Sequence, residues 1–183
     1  MIYLKWLGFT IADWLLLPFF FVAVPFASLF TKDGWGSVTK YLGTYDNPPQ
    51  GDRGWIRERS PFPKIIDGWK GYINRVMWLW RNPNYPLQAA LAVEYAHYLI
   101  VSFNGNDKIS DKYAKPGWYF ATATNSRNAD TVAFEFYCVL PWAFGKCLRA
   151  RLGWKIMSSK FETSGIAPLV NTINPFKTFG ESV

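Results

Sequence analysis

The sequence predicts an α+β fold with an N-terminal apolar helix, one or two amphipathic helices and a C-terminal antiparallel β-meander. Residues 14–30 form an uncharged apolar run. Apolar residues recur at three- and four-residue steps over 64–81, which indicates an amphipathic helix. Apolar and polar residues alternate over 131–140 and 147–156, which indicates strands covered on one face. The N-terminal helix is expected to be a membrane or interfacial helix.

Length and charge set the domain organisation and the kind of partner. With 183 residues the chain is long enough for one domain with a sizeable core. We divide it into an apolar membrane-associating segment (1–31), an α+β body (32–160) and an extended tail (161–183). The net charge of +7 lies wholly after residue 31, and 19% of residues are aromatic. A basic, aromatic body attracts acidic lipid headgroups or nucleic acid, and the apolar N-terminus favours lipid.

The run WLLLPFFFVAVPFASLF would span about 25 Å as a helix, slightly less than a hydrocarbon core of about 30 Å. It predicts a membrane span. A re-entrant or interfacial helix and a buried core helix are the alternatives, and a cleaved signal peptide is disfavoured because no small-residue cleavage site follows. Lys and Arg after Phe30 favour a body on the cytoplasmic side of the membrane. The predicted anchor residues are Trp6, Trp14, Phe19, Phe20, Phe21, Phe26 and Trp35.

The helix predicted over 64–81 ends in the stretch WLWRNPNYP. Pro83 disfavours helical geometry at Asn82, and Arg81 complements the dipole of the last turn. The apolar stripe is most simply a core face, with a helix lying flat in a membrane interface as the alternative. The stripe consists of Ile65, Ile66, Trp69, Tyr72, Ile73, Val76, Met77 and Trp80. Trp78 falls off the stripe, so we expect it at the surface.

Residues 86–103 suit a helix in part and a strand in part. Glu94 and His97 stand three residues apart, a spacing that lets side chains meet on a helix. With no third partner in view, a structural pair is favoured over acid–base machinery.

The strands predicted at 118–124, 131–140 and 147–156 are separated by turns at 125–130 and at Pro141–Lys146. Antiparallel pairing of the last two would place Glu135 near Arg149 or Arg151 on a polar face.

A basic set without any acid between Phe136 and Phe161 is the sharpest charge feature of the sequence. It is interpreted as a solvated strand face, as a surface for lipid headgroups or a partner protein, or as a nucleic-acid strip with Trp142 and Trp154 for stacking. Its members are Lys146, Arg149, Arg151, Lys155 and Lys160.

No sequence motif predicts a catalytic residue, a bound cofactor or a metal. Two cysteines and one histidine do not have the number or spacing of a zinc site. Cys147 lies beside Lys146 and near Arg149, which predicts a lowered thiol pKa.

Three motifs together resemble a group of small uncharacterised proteins of tailed bacteriophages. They are W-x-x-R-N-P (Trp78, Arg81, Asn82 and Pro83), YLGTYDNP (41–48) and G-K-C-L-R-x-R-x-G-W-K (145–155). The resemblance implies a phage protein acting in a bacterial cell. The leading hypothesis is a non-enzymatic, membrane-associated accessory protein that acts on the host envelope or host defence. A virion component buried against other subunits and a nucleic-acid-binding module are the alternatives.

Overall fold

The computed structural model describes residues 1–30, 42, 55–56, 60–81, 83–96, 99–157 and 165–180. These residues confirm the predicted α+β class. Two compact units are present. The sheet unit comprises Met1–Thr10 and Ala89–Val183, and the helical unit comprises Ile11–Gln88.

Three helices are described with their bounds: α1 (Ile2–Leu29), α2 (Gly68–Arg81) and α3 (Tyr85–Ala90). Helix α1 is continuous through Pro18 and Pro25, as membrane helices tolerate better than soluble ones. Helix α2 ends at Arg81 as predicted. It begins at Gly68 rather than at residue 64, because Lys64 and Gly68 have left-handed backbone angles that break helical geometry.

The predicted meander is confirmed as a five-stranded antiparallel sheet of order β2-β3-β4-β5-β7. Two short strands, β1 and β6, pair separately. The strands are β1 (Val93–Glu94), β2 (Leu99–Gly105), β3 (Gly117–Asn125), β4 (Thr131–Pro141), β5 (Lys146–Trp154), β6 (Ile166–Ala167) and β7 (Leu169–Thr178). The segment that the sequence analysis treats as an extended tail therefore supplies an edge strand, β7, along β5. The ambiguous region 86–103 contains both helix and strand, and His97 lies outside the described residues.

The sheet has two faces, and the strand register assigns its residues to them. One face carries Tyr119, Tyr137 and Arg151, which stand side by side on β3, β4 and β5. The opposite face carries Phe134, whose ring lies 4.9 Å from Tyr3 and 5.5 Å from Trp6, centroid to centroid. The first turns of α1 therefore pack on this opposite face.

Two indole N–H groups form hydrogen bonds that connect different segments of the sheet unit. Trp6 donates to the side-chain oxygen of Asn171 on β7, at 2.8 Å. The fully buried Trp154 of β5 donates to the carbonyl of Leu91, at 3.0 Å. Each bond satisfies a polar atom that burial would otherwise leave without a partner.

Candidate functional site

The outer surface of α1 is apolar and exposed. It is the one helix in the described part of the chain that is long and apolar enough to cross a membrane, and only 22% of its most apolar stretch is buried. A core helix of a soluble protein would be mostly buried. Of the predicted anchors, Trp14, Phe19, Phe21 and Phe26 are exposed, Trp6 is half-buried and Phe20 is buried. Trp35 lies outside the described residues.

Trp80 compensates for a proline in α1. Pro25 has no N–H, so the carbonyl of Phe21, four residues earlier, loses its helical donor. The indole N–H of Trp80 donates to that carbonyl at 3.2 Å, and its ring lies 5.9 Å from the Phe21 ring. A carbonyl in contact with hydrocarbon has no water to bond, so a donor from a neighbouring helix is the usual remedy within a bilayer.

Asp13 is the acidic residue within the apolar helix, and it is buried at 5% exposure. Its backbone carbonyl accepts the side-chain N–H of the buried Asn84 at 2.7 Å. Its carboxylate accepts the side-chain N–H of Gln88 at 3.4 Å. The carbonyl and carboxylate of Asp13 therefore meet amide side chains of the helical unit, while the neighbouring Trp14, Leu15 and Leu16 are exposed.

The buried side of α2 is mixed rather than uniformly apolar, and it agrees only in part with the predicted core stripe. Val76, Trp78 and Leu79 are buried in an apolar cluster. Asn74 and Arg75 are buried, whereas Trp69 and Met77 are exposed. The cause is the preceding loop, whose carbonyls need donors. Arg75 donates to the carbonyl of Ile66 at 2.6 Å, and Asn74 donates to those of Phe62 and Ile65. Of the predicted stripe only Val76 is buried, so periodicity located the apolar residues correctly but misjudged which side of α2 packs inward.

The expected surface position of Trp78 is also wrong, because its side chain is only 1% exposed. Arg81 is exposed at the end of α2, Pro83 is half-buried and Asn82 lies outside the described residues. Within WLWRNPNYP, the side chains of Trp80 and Asn84 both donate hydrogen bonds to the backbone of α1.

A polar network lies on one face of the sheet, around the fully buried Glu135. One carboxylate oxygen accepts the Tyr119 hydroxyl at 2.7 Å and the Arg151 Nε at 2.6 Å. The other accepts the backbone N–H of Met157 at 2.8 Å. The predicted proximity of Glu135 to Arg151 is confirmed, but the face that carries them is not a solvated one.

Electrostatics keep this network in one protonation state. Burial, followed by the negative charge of Glu135, raises the pKa of the Tyr119 phenol well above its ordinary value. Burial alone would lower the pKa of Arg151, but Glu135 and Tyr119 outweigh it and the pKa is raised. A phenol that stays neutral beside a guanidinium that stays charged is suited to structure rather than to proton transfer at neutral pH.

A second charged group surrounds Asp111. Its carboxylate lies 3.9 Å from Arg149 and 3.6 Å from Lys177, and it accepts the Tyr137 hydroxyl at 3.4 Å. Burial is the main cause of the raised pKa of Tyr137. Both arginines of the predicted basic surface are thus ion-paired, Arg149 with Asp111 and Arg151 with Glu135.

The other members of that surface have different environments. Lys146 donates to the Thr178 hydroxyl at 3.1 Å, Lys155 is half-buried and Lys160 lies outside the described residues. The predicted lowering of the Cys147 pKa is wrong, since burial raises it. Cys138 and Cys147 are both free and buried. In the part of the chain that the structure describes, no cluster of three or more His, Cys, Asp or Glu could hold a metal ion.

Comparison with known proteins places the chain in a family. The sequence profile of a family of unknown function, DUF7338, matches residues 1–181. The chain belongs to DUF7338. The match covers the apolar helix together with the sheet, so DUF7338 includes both units described above. No curated protein and no solved structure matches the chain.

Proposed function

We propose that this protein is a non-enzymatic membrane protein of a bacteriophage, with α1 crossing the inner membrane of the host and the basic segment that follows it, residues 32–59, on the cytoplasmic side. Its role would be to act on the host envelope or on host defence. The observation that carries the membrane part is the exposed apolar surface of α1, together with the side-chain donors that reach its backbone. Apolar side chains of α1 are exposed, and polar side chains such as Trp80 and Asn84 are directed at its backbone.

Orientation and lipid preference rest on charge. Residues 32–59 contain Lys32, Lys40, Arg53, Arg57 and Arg59 directly after the apolar run, and such clusters remain on the cytoplasmic side. The net charge of +7 over the whole chain would favour contact with anionic headgroups. The phage setting and the host-directed role rest on the sequence resemblance.

Membrane extraction tests the proposal. After expression in bacteria, the protein should stay in the membrane pellet through carbonate and urea washes. Replacing both Phe19 and Val22, each exposed on α1, by lysine should abolish that retention, because each charge at mid-membrane costs about 2.5 kcal/mol or more. Lysines at Ser126 and Asn128, exposed in the β3–β4 turn, are the matched control and should change nothing. Recovery of the unmodified protein in the soluble fraction would overturn the proposal.

A virion component is the second candidate, favoured by apolar residues at one end of the sheet. Trp118, Leu140, Ile173 and Phe176 are exposed there, and other subunits would bury them. Mass spectrometry of purified particles distinguishes the candidates, since a virion component is present in stoichiometric amounts and a host-directed membrane protein is not. Nucleic-acid binding has less support, because Arg149 and Arg151 are engaged by carboxylates.

A further inference from the structure

A cleft lies in the helical unit between the end of α1 and the first turns of α2. Its volume is about 480 Å³, within the roughly 300–1,000 Å³ typical of small-molecule sites. Ser28 and Leu29 line it from α1, and Trp69, Tyr72 and Arg75 line it from α2. The lining of the cleft therefore includes the polar residues Ser28 and Arg75 and, at its edge, the apolar and exposed Leu29.

One part of the cleft suits a phosphate group. The side chain of Ser28 is fully buried, and its hydroxyl has no hydrogen-bond partner among the described residues. Arg75 lines the same cleft, with its guanidinium positioned by the carbonyl of Ile66. The 14-residue helix α2 begins at Gly68, also in the lining, and the N–H groups of a first helical turn attract anions. An oxyanion here would supply the acceptor that the Ser28 hydroxyl lacks.

Another part of the cleft suits an ammonium group. Asp67 lines it immediately before α2 and brings a carboxylate. Trp69 and Tyr72 bring aromatic faces, which attract cations. The Trp69 ring already has the Lys70 ammonium 5.8 Å from its centroid. A purely anionic ligand would be repelled by Asp67, whereas a phosphate joined to an ammonium fits both parts.

We propose that this cleft binds the phosphate–ammonium headgroup of a zwitterionic phospholipid such as phosphatidylethanolamine. The inference rests on the proposed membrane function, because α1 delivers the cleft to the membrane surface at its C-terminal end. The phosphate is held by Ser28, Arg75 and the first turn of α2, and the ammonium by Asp67. The acyl chains leave past Leu29 along the exposed apolar side of α1.

Native mass spectrometry of the full chain in detergent tests this site. The delipidated protein is titrated with phosphatidylethanolamine, with anionic phosphatidylglycerol and with soluble phosphoethanolamine. Phosphatidylethanolamine should bind at least about tenfold more tightly than phosphatidylglycerol, as expected for one charge-assisted contact to Asp67. Displacement by phosphoethanolamine would identify the headgroup alone as sufficient, and its failure to compete would show that acyl chains are required. Both results support the shared headgroup chemistry.

Two variants assign the contacts, with a matched control. Asp67→Asn should remove the preference for phosphatidylethanolamine by lowering its affinity about tenfold, and Ser28→Ala should weaken both lipids several-fold. Asp107→Asn, at an exposed site of the sheet unit, should leave both affinities unchanged. Equal binding of the two lipids by the unmodified protein would overturn the headgroup site even if the protein stays in membranes. Loss of membrane retention would instead overturn the proposed function.

Discussion

The two units use their polar side chains in opposite ways. In the sheet unit, the buried Glu135 is satisfied by other side chains and one backbone N–H, among apolar residues. In the helical unit, Trp80 and Asn84 are directed at the backbone of α1. Most of the large apolar side chains of α1 are exposed, although Phe20 and Val24 are buried. The first arrangement is that of a protein core in water. The second is expected where hydrocarbon is the solvent, because the backbone there must be satisfied from within.

The largest effect is expected in the sheet unit, at Glu135. Glu135→Ala leaves the Arg151 guanidinium, the Tyr119 hydroxyl and the Met157 N–H without their shared acceptor. Loss of one partner of a buried ion pair costs about 3–5 kcal/mol. Denaturant unfolding in detergent, followed by tryptophan fluorescence, measures the change. Asp130→Ala, at an exposed turn, is the control. Equally small losses of unfolding free energy in both variants would show that the Glu135 network does not stabilise the sheet unit.

A smaller effect is expected in the helical unit, at Asn84. Its backbone φ is +55°, and its side chain donates to Asp13. Asn84→Ala should cost about 2 kcal/mol, from a lost hydrogen bond and a strained left-handed residue together. Asn84→Gly keeps the backbone relaxed, so it should cost only about 1 kcal/mol. The same denaturant experiment separates the two, and a glycine variant as unstable as the alanine variant would contradict the backbone contribution.

Alkaline pH should weaken the sheet unit through Tyr119. Its pKa is raised in the folded protein, so above about pH 10 the unfolded phenol loses its proton while the folded one keeps it. The free energy of unfolding should be unaffected below that pH. It should fall by up to about 1.4 kcal/mol per pH unit above it, until the folded phenol titrates. Tyr119→Phe should reduce that slope, whereas Tyr113→Phe, at an exposed site, should preserve it.

The smallest effect belongs to the indole N–H of Trp80. Trp80→Phe keeps an aromatic ring but removes the donor to Phe21, at a cost of about 1 kcal/mol. In a Pro25→Ala background the helix supplies its own donor to that carbonyl, so the same change should cost much less. The double-mutant cycle measures this coupling in the free energy of unfolding. Identical costs in both backgrounds would mean that Trp80 does not compensate for the proline.

The sequence predicted best where local pattern decides structure. Alternation over 131–140 and 147–156 located β4 and β5, and the uncharged run located α1. The sequence-based prediction failed where contacts with distant segments decide which side chains are buried. The α2 stripe was assigned to a core, but only Val76 of it is buried. The loop carbonyls of Phe62, Ile65 and Ile66 bring Asn74 and Arg75 inward instead. Likewise, a strand pattern cannot show that Glu135 lies on a covered side of the sheet. Polar and apolar residues alternate in the same way whether the polar face is buried or solvated.

Part of the site was detectable from sequence in principle. Pro25 implies an unsatisfied carbonyl at Phe21, but the donor is 59 residues away in the chain, and no local pattern connects the two. The role of Asn84 is hidden for the same reason, since its acceptor lies 71 residues away. The motif WLWRNPNYP therefore looked like a helix end from sequence, whereas the structure adds its contacts with α1.

The accessibility of two neighbouring positions on α1 tests the central claim most directly. A spin label is attached to cysteine at position 19 or 20 of protein in lipid vesicles, where the native residues are 72% and 8% exposed. The buried Cys138 and Cys147 are replaced by serine beforehand. If α1 crosses the bilayer, the label at 19 collides with lipid-soluble oxygen and not with a water-soluble nickel complex, and the label at 20 collides with neither. A label at 19 that is fully accessible to the nickel complex would contradict the account.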